Sequence, residues 1–268
     1  MIYDLQKASV LKRISAALLD IILALIIATG FFFILSSVFH YDSKLEDYND
    51  SIAVYKETIK PYDIMIGDKN YSEIEDPSIL SPELKEIYFE NKKAMENDPT
   101  VIKLFNETLT KQKKLINLSL ILVTGGILIA ILSVEFFIPL VLGNGQTPGK
   151  KMFGICLMMD NGVKVKTTPL FVRALLGKFT VETMIPVYAA VYLFFGQMNI
   201  LMLFLTIAMV LANLLMIIIN PKNALLHDVM SYIVVVDKHS QMIFETEEEL
   251  IKYKEEAARK KVASKRTL

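Results

Sequence analysis

Cysteine is almost absent: Cys156 is the only one in 268 residues, so no disulfide can form within the chain. Flanked by Ile155 and Leu157, it reads as a small buried apolar residue without a chemical role. Histidine is nearly as scarce. His40, His227 and His239 are scattered, and the absence of a His-Glu-x-x-His helix argues against a zinc protease. No nucleophile, base and orienting group form a recognisable set. No enzymatic activity, cofactor or resident metal is therefore expected. Arginine supplies only four of the 29 basic residues, Arg13, Arg173, Arg259 and Arg266. In so lysine-biased a chain, Arg13 and Arg173 mark sites that need a planar, permanently charged fork, and bidentate carboxylate pairing is the obvious use. Net charge is zero, and no nucleic-acid partner is expected.

Apolar residues make up 53% of the chain. Four stretches reach the roughly 20 mainly apolar residues that cross a bilayer: about 14–39, 116–142, 180–196 and 200–219. The third is the shortest and carries Glu182 and Pro186. The first runs for about 26 residues, too long for a cleaved signal peptide, whose apolar core is roughly 7–15. Orientation follows from lysine and arginine in the short loops. Lys7, Lys12 and Arg13 precede the first span; Lys150, Lys151, Lys164, Lys166, Arg173 and Lys178 face a single acid, Asp160, between the second and third. The connection Gln197-Met198-Asn199 carries no charge. Both termini are thus expected in the cytoplasm of a multi-pass cell-membrane protein.

The fold expected is an all-α membrane protein: four transmembrane helices, a helical extracytoplasmic insertion and a small cytoplasmic β-hairpin. The divisions are 1–39, the N-terminus and first span; 40–115, the outer insertion; 116–142, the second span; 143–179, a cytoplasmic loop; 180–220, the third and fourth spans; and 221–268, a His-Asp segment and charged tail. In the insertion, Ser81-Pro82 and Asp98-Pro99 each pair an N-cap residue with proline at the first helical position. They predict helices over about 82–97 and from 99 straight into the second span. Residues 42–60 prolong the first span outward, with 62–77 as an irregular linker. This lobe reads as a solvated cap or as a partner-docking surface.

On the inner side, Asn161-Gly162 between short apolar runs predicts a hairpin over 152–165, because both turn positions need positive φ. Residues 169–178 read as an interfacial amphipathic helix. In the tail, Glu248/Lys252, Glu255/Arg259 and Glu256/Lys260 are spaced for helix-surface ion pairs, and its basic end suits anionic lipid. Gly143–Lys151 fails as a phosphate loop on spacing; a tight turn presenting Lys150 and Lys151 to lipid phosphates is expected instead.

Counting inward from each span end, Asp20, Glu135, Asn213 and Glu182 fall within roughly 10 Å of the inner boundary at ~1.5 Å per residue. Pro139 cannot donate to the Glu135 carbonyl, which frees a further oxygen. Such oxygen-rich layers build cation and proton pathways; the same acids could equally anchor at headgroup level. Arg13 and Asp20 share a helix face ~10 Å apart along the axis, too far for direct contact, so a second acid is needed. Asp228, in Leu225-Leu226-His227-Asp228, is the candidate. His227 suits proton carriage or helix capping.

These pieces resemble the RDD family of bacterial membrane proteins, named for an arginine and two aspartates. The first motif fits as Arg13, Ala16 and Asp20. The central signature fits as Gly145-Gln146-Thr147-Pro148-Gly149-Lys150-Lys151-Met152-Phe153-Gly154-Ile155 with Asp160, Gly162 and Arg173. The last fits as Leu226-His227-Asp228 with Val234-Val235-Val236. The resemblance covers about 8–39 and 116–237. Two features depart from it: Tyr232 and Ile233 stand where a glycine and a threonine are usual, and segment 40–115 is far longer than expected. The resemblance implies an integral membrane protein, with cation/proton exchange suggested for some members. Transport would use Arg13, Asp20 and Asp228 as a charged cluster, with Glu135, Asn213, Arg173 and His227 around it, in a homo-oligomer within the lipid bilayer. The rival is a non-transporting subunit that binds another membrane protein.

Overall fold

The computed structural model describes residues 5–196 and 199–266. Gln197 and Met198 of the uncharged connection lie outside the described residues, as do the side chains of the tail's basic end, 261–268. The chain is an all-α membrane protein with two small sheets. Four helices are long and apolar enough to cross a bilayer: Val10–Val38, Pro99–Leu142, Thr167–Phe194 and Ile200–Ile219. It divides into two compact units, Met1–Leu35 with Leu122–Leu268, and Ser36–Ile121.

Helix α1 covers Val10–Val38. In the second unit, His40 takes a left-handed φ of 52° before α2 (Tyr41–Ile59), so Phe39 and His40 interrupt the helical continuation of the first span. The 62–77 stretch is more ordered than an irregular linker. It holds a hairpin of β1 (Met65–Ile66) against β2 (Lys69–Asn70), turned at Gly67, where φ is 70°. Ser81 and Asp98 then cap their helices: the Ser81 hydroxyl accepts the Leu84 N–H at the start of α3 (Pro82–Asn97), and Asp98 accepts the Thr100 N–H at the start of α4 (Pro99–Leu132). Ile66, Ile74, Val101, Leu115 and Ile116 are buried within this unit. The Tyr62 hydroxyl closes it on Asp98 at 2.7 Å.

In the first unit, α4 passes through a π turn at Ser133–Phe137 into α5 (Ile138–Leu142). The π register suits Pro139, because the Ile138 N–H reaches back five residues to the Ser133 carbonyl. Next come α6 (Pro148–Met152), β3 (Ile155–Met159) and α7 (Thr167–Val172). The third span is longer than 180–196: α7 continues without a break through a π-helical run, Arg173–Met184, into α8 (Ile185–Phe194). No separate interfacial helix occupies 169–178. α9 (Ile200–Ile219), α10 (Leu226–Met230), β4 (Ile233–Asp237) and α11 (Glu247–Arg266) complete the order. Near the middle of the first helix α1 meets α4: a Cβ on Gly126 would stand 3.0 Å from the Ala28 carbonyl oxygen.

The tight turn at Gly162 forms, with its N–H on the Met159 carbonyl, and the chain returns far enough for one bridge, Met158 with Lys164. The main partner of β3 is not this return but β4, antiparallel from Ile155 opposite Asp237 to Met159 opposite Ile233. The N-terminal segment joins the other edge, Ala8 donating to the Val235 carbonyl. Ile155, Leu157, Ile233 and Val235 pack with Ala16 and Leu170 on one face; Cys156, Met158, Val234 and Val236 pack with Leu5 and Ile243 on the other. A strand covered on both sides is apolar throughout, so alternation cannot reveal it. Burial also pushes the Cys156 thiol up to about 11. Among the described residues, the acids before and at the start of α11 pair with the 162–166 loop, Lys164 with Glu245 and Lys166 with Glu247, and the three pairs expected along α11 are not seen.

Tyr232 takes a φ of 55° between α10 and β4. The backbone thus keeps a left-handed conformation suited to glycine, which the family resemblance places at this position. The ring is 68% exposed. A side chain in this conformation costs about 1–2 kcal/mol, partly offset by glycine's greater unfolded-state freedom. Tyr232→Gly is expected to stabilise the detergent-solubilised protein by about 0.5–1 kcal/mol, read as a raised midpoint of thermal unfolding.

Candidate functional site

Where α1, the two π segments, α6 and α10 approach one another, eight charged side chains and one histidine form a continuous network. Asp228 is its most enclosed carboxylate, with no exposed surface. It accepts Arg13 Nη2 at 2.8 Å on Oδ2 and Arg173 Nε at 2.9 Å on Oδ1. Arg13 also donates to the Asn223 carbonyl. Arg173 extends its fork further, Nη1 to Glu135 Oε2 at 2.7 Å and Nη2 to His227 Nε2 at 2.9 Å. Lys178 donates to Glu135 Oε1, and Lys150 reaches Glu135 Oε2 at 3.3 Å and Asp20 Oδ2 at 3.8 Å.

Asp20 is tied to α6. Its Oδ1 accepts the Gly149 N–H at 2.8 Å and its Oδ2 accepts the Thr147 hydroxyl at 2.5 Å. A Cβ on Gly149 would strike the Ala16 carbonyl and stand 2.8 Å from Asp20 Oδ1, so only glycine permits this approach. Gly177 serves the opposite wall, where an added Cβ would lie 2.5 Å from His227 Cβ.

The π-helical run aims the third span's charges. At about 4.4 residues per π turn, Lys178 and Glu182 fall within about 50° of Arg173; at 3.6 per turn they would lie about 140° and 180° away. His227 Nδ1 lies 2.8 Å from Glu182 Oε2, and its Nε2 lies 2.9 Å from Arg173 Nη2 and 3.2 Å from Asp228 Oδ1. Four carboxylates (Asp20, Glu135, Glu182, Asp228) thus balance four cations (Arg13, Lys150, Arg173, Lys178). Among the described residues no buried side-chain polar atom lacks a hydrogen-bond partner.

The sequence model of the RDD family matches residues 7–232, the bulk of the chain. The chain belongs to the RDD family. No curated protein and no solved structure matches it. In this RDD protein Arg13 and Asp228 meet directly, but Asp20 does not touch Arg13; the two are joined through Lys150, Glu135, Arg173 and Asp228. Glu135 and Arg173 are the hub, and His227 lies inside the network. Asn213 stays outside it: its Oδ1 accepts the Leu226 N–H at 3.2 Å and so holds the start of α10. Glu182 joins the network through His227.

Lys150 corrects the reading of the 143–151 loop. It is buried against Glu135 and does not face lipid phosphates, although Lys151 is exposed. A signal for this was present, since Thr147-Pro148 is the same cap-plus-proline start seen at Ser81-Pro82, and Thr147 Oγ1 accepts the Lys150 N–H. Lys178 gave no signal in α-helical spacing because its helix is not α.

Two cavities border the network. One, of about 120 Å³, is lined by Arg13, Asp20, Lys150, Arg173 and His227 with Ile14, Ile217 and Val235. The other, of about 360 Å³, lies between α1, α4 and the third span; Asp20, Glu135, Lys178 and Glu182 line one end, and Thr183 with apolar residues up to Ala28 and Val187 the rest.

Burial would raise the Asp228 carboxyl, but His227, Arg173 and Arg13 hold it well below the usual carboxylate range. For Lys150 burial dominates over the attraction of Glu135 and lowers its pKa from 10.5 to about 8. Between those two values the unfolded chain carries the extra proton. The Lys150 contribution to stability is therefore lowest below pH 8 and improves by about 3 kcal/mol as pH rises toward 10.5. Unfolding measured from pH 7.5 to 10 is expected to show this rise, and Lys150→Met to lose it. Arg173→Met, which leaves Glu135 and Asp228 short of a partner, is expected to cost about 3–5 kcal/mol in the same unfolding experiment.

Proposed function

We propose that this RDD protein transports a small solute or cation across the membrane, in exchange for protons, through the charged network. The observation that carries this reading is the position of the network between two cavities. Both are lined by Ala17, Asp20 and Lys178, so a few side chains separate them. The network is electrically balanced, and an unmatched charge in a low-dielectric interior is costly. A cation admitted beside Asp20 and Glu135 therefore favours loss of a positive charge elsewhere. The arginines keep their protons, and Lys150, whose pKa burial lowers to about 8, is the group that couples cation and proton. Loop charges favour cytoplasmic termini and place the network near the inner face. Alternating access normally draws on more helices than four, so the transporting form is a homo-oligomer. The role is not enzymatic.

Cation and proton flux in proteoliposomes tests the proposal. Glu135→Gln and Asp20→Asn, checked for insertion and folding, are expected to lower flux at least tenfold; unchanged flux in both overturns it. A non-transporting, partner-binding role is favoured by one observation, the separate core of Ser36–Ile121. Deleting residues 45–110 discriminates: retained flux supports transport, whereas loss of function with the spans inserted supports the partner-binding role.

A further inference from the structure

The larger cavity has a polar end and an apolar body. Three carboxylates and one ammonium line the polar end, Asp20, Glu135 and Glu182 against Lys178. Asp20 and Glu135 already hold cations. Glu182 does not: among the described residues it makes no ion pair with a lysine or arginine, and its Oε2 meets only the His227 ring, at 2.8 Å. This carboxyl side chain, 18% exposed, faces a cavity whose remaining walls are apolar apart from Thr183. From Asp20 to Ala28 the α1 wall rises about 12 Å, and 360 Å³ falls within the roughly 300–1,000 Å³ of small-molecule sites.

A bare metal ion does not suit this place. Among the described residues no three histidine, cysteine or carboxylate side chains converge as a ligand set, and away from the polar end the lining offers one side-chain oxygen, the Thr183 hydroxyl, to replace a lost hydration shell. A hydrophobic cation needs neither. Its body fills the apolar walls, and its weakly hydrated charge requires only one carboxylate. The α1 side chains around the cavity's height, Ile22, Leu25 and Ile26, are exposed as a lipid-facing surface requires, so such a ligand can arrive from the bilayer.

We propose that the cavity between α1 and the third span binds an amphipathic organic cation, its apolar body against Ala24, Ile127 and Ile131 and its charged head on Glu182. This deepens the transport reading by naming a substrate class, but binding is separable from flux.

Equilibrium binding of tetraphenylphosphonium to the full chain in lipid nanodiscs is the test, with tetramethylammonium as a cation that lacks an apolar body. Saturable binding of tetraphenylphosphonium is expected, with tetramethylammonium at least tenfold weaker. Glu182→Gln, which still accepts from His227, is expected to weaken binding at least tenfold. Ala24→Phe, which fills the cavity and leaves every charge in place, is expected to abolish it. The proposal is overturned if tetraphenylphosphonium does not bind, if both variants bind as the parent does, or if a hydrophobic anion such as tetraphenylborate binds equally well. Binding without flux leaves the site standing and removes the transport reading. Flux of small cations without tetraphenylphosphonium binding does the reverse.

Discussion

One guanidinium organises the buried interior. Arg173 touches Glu135 on the second span, Asp228 and His227 on the turn after the fourth, and is itself part of the third. Its planar fork lets three directions be satisfied at once from a fixed centre, which a lysine's single nitrogen cannot do. Because isolated charge is so costly away from water, each contact makes the others obligatory. Glu135 then draws in Lys150 and Lys178, Lys150 lies close to Asp20, and Asp228 fixes Arg13. The relative placement of four chain segments follows from that one side chain.

The helices outside this network are held more loosely. In its most apolar window α9 buries none of its residues within the chain, and α1 buries 6%. In lipid this is no defect, since apolar surface gains little by leaving one hydrocarbon environment for another. Specificity of assembly therefore rests on polar contacts at one level and on close backbone approaches at Gly126, Gly149 and Gly177. The β3–β4 ladder supports that level from below, with Ile155, Leu157 and Val235 against Ala16 of α1.

Much of this was legible from residue order alone. Span number, helix starts at Ser81-Pro82 and Asp98-Pro99, and the rarity of arginine all follow from local chemistry, and they led to Arg13, Arg173 and Asp228. The misreadings share a cause, which is that the relevant geometry is not local. The Asn161-Gly162 turn is real, yet its strand pairs with β4 because both faces of that ladder are buried. Lys178 and Glu182 join Arg173 only in π register, and a 3.6-residue wheel sends them to the far side. Lys150 looked like a surface charge in a glycine-rich loop until Asp20 was seen to hold the start of α6. Asp20 reads from spacing as sharing a helix face with Arg13 but out of its direct reach, and which groups it does meet, a backbone N–H and a hydroxyl, spacing does not reveal.

The order in which the chain is made gives the Arg13–Asp228 pair a further meaning. These two residues stand 215 positions apart, and synthesis runs from one to the other. Every earlier member of the network, Arg13 and Asp20 through Arg173 and Glu182, must reach the bilayer before its final counter-ion has left the ribosome. Until then the earlier members carry one more positive than negative formal charge. Arrival of the His-Asp turn neutralises that surplus, and the ladder strand β4, only a few residues later, secures the finished interior.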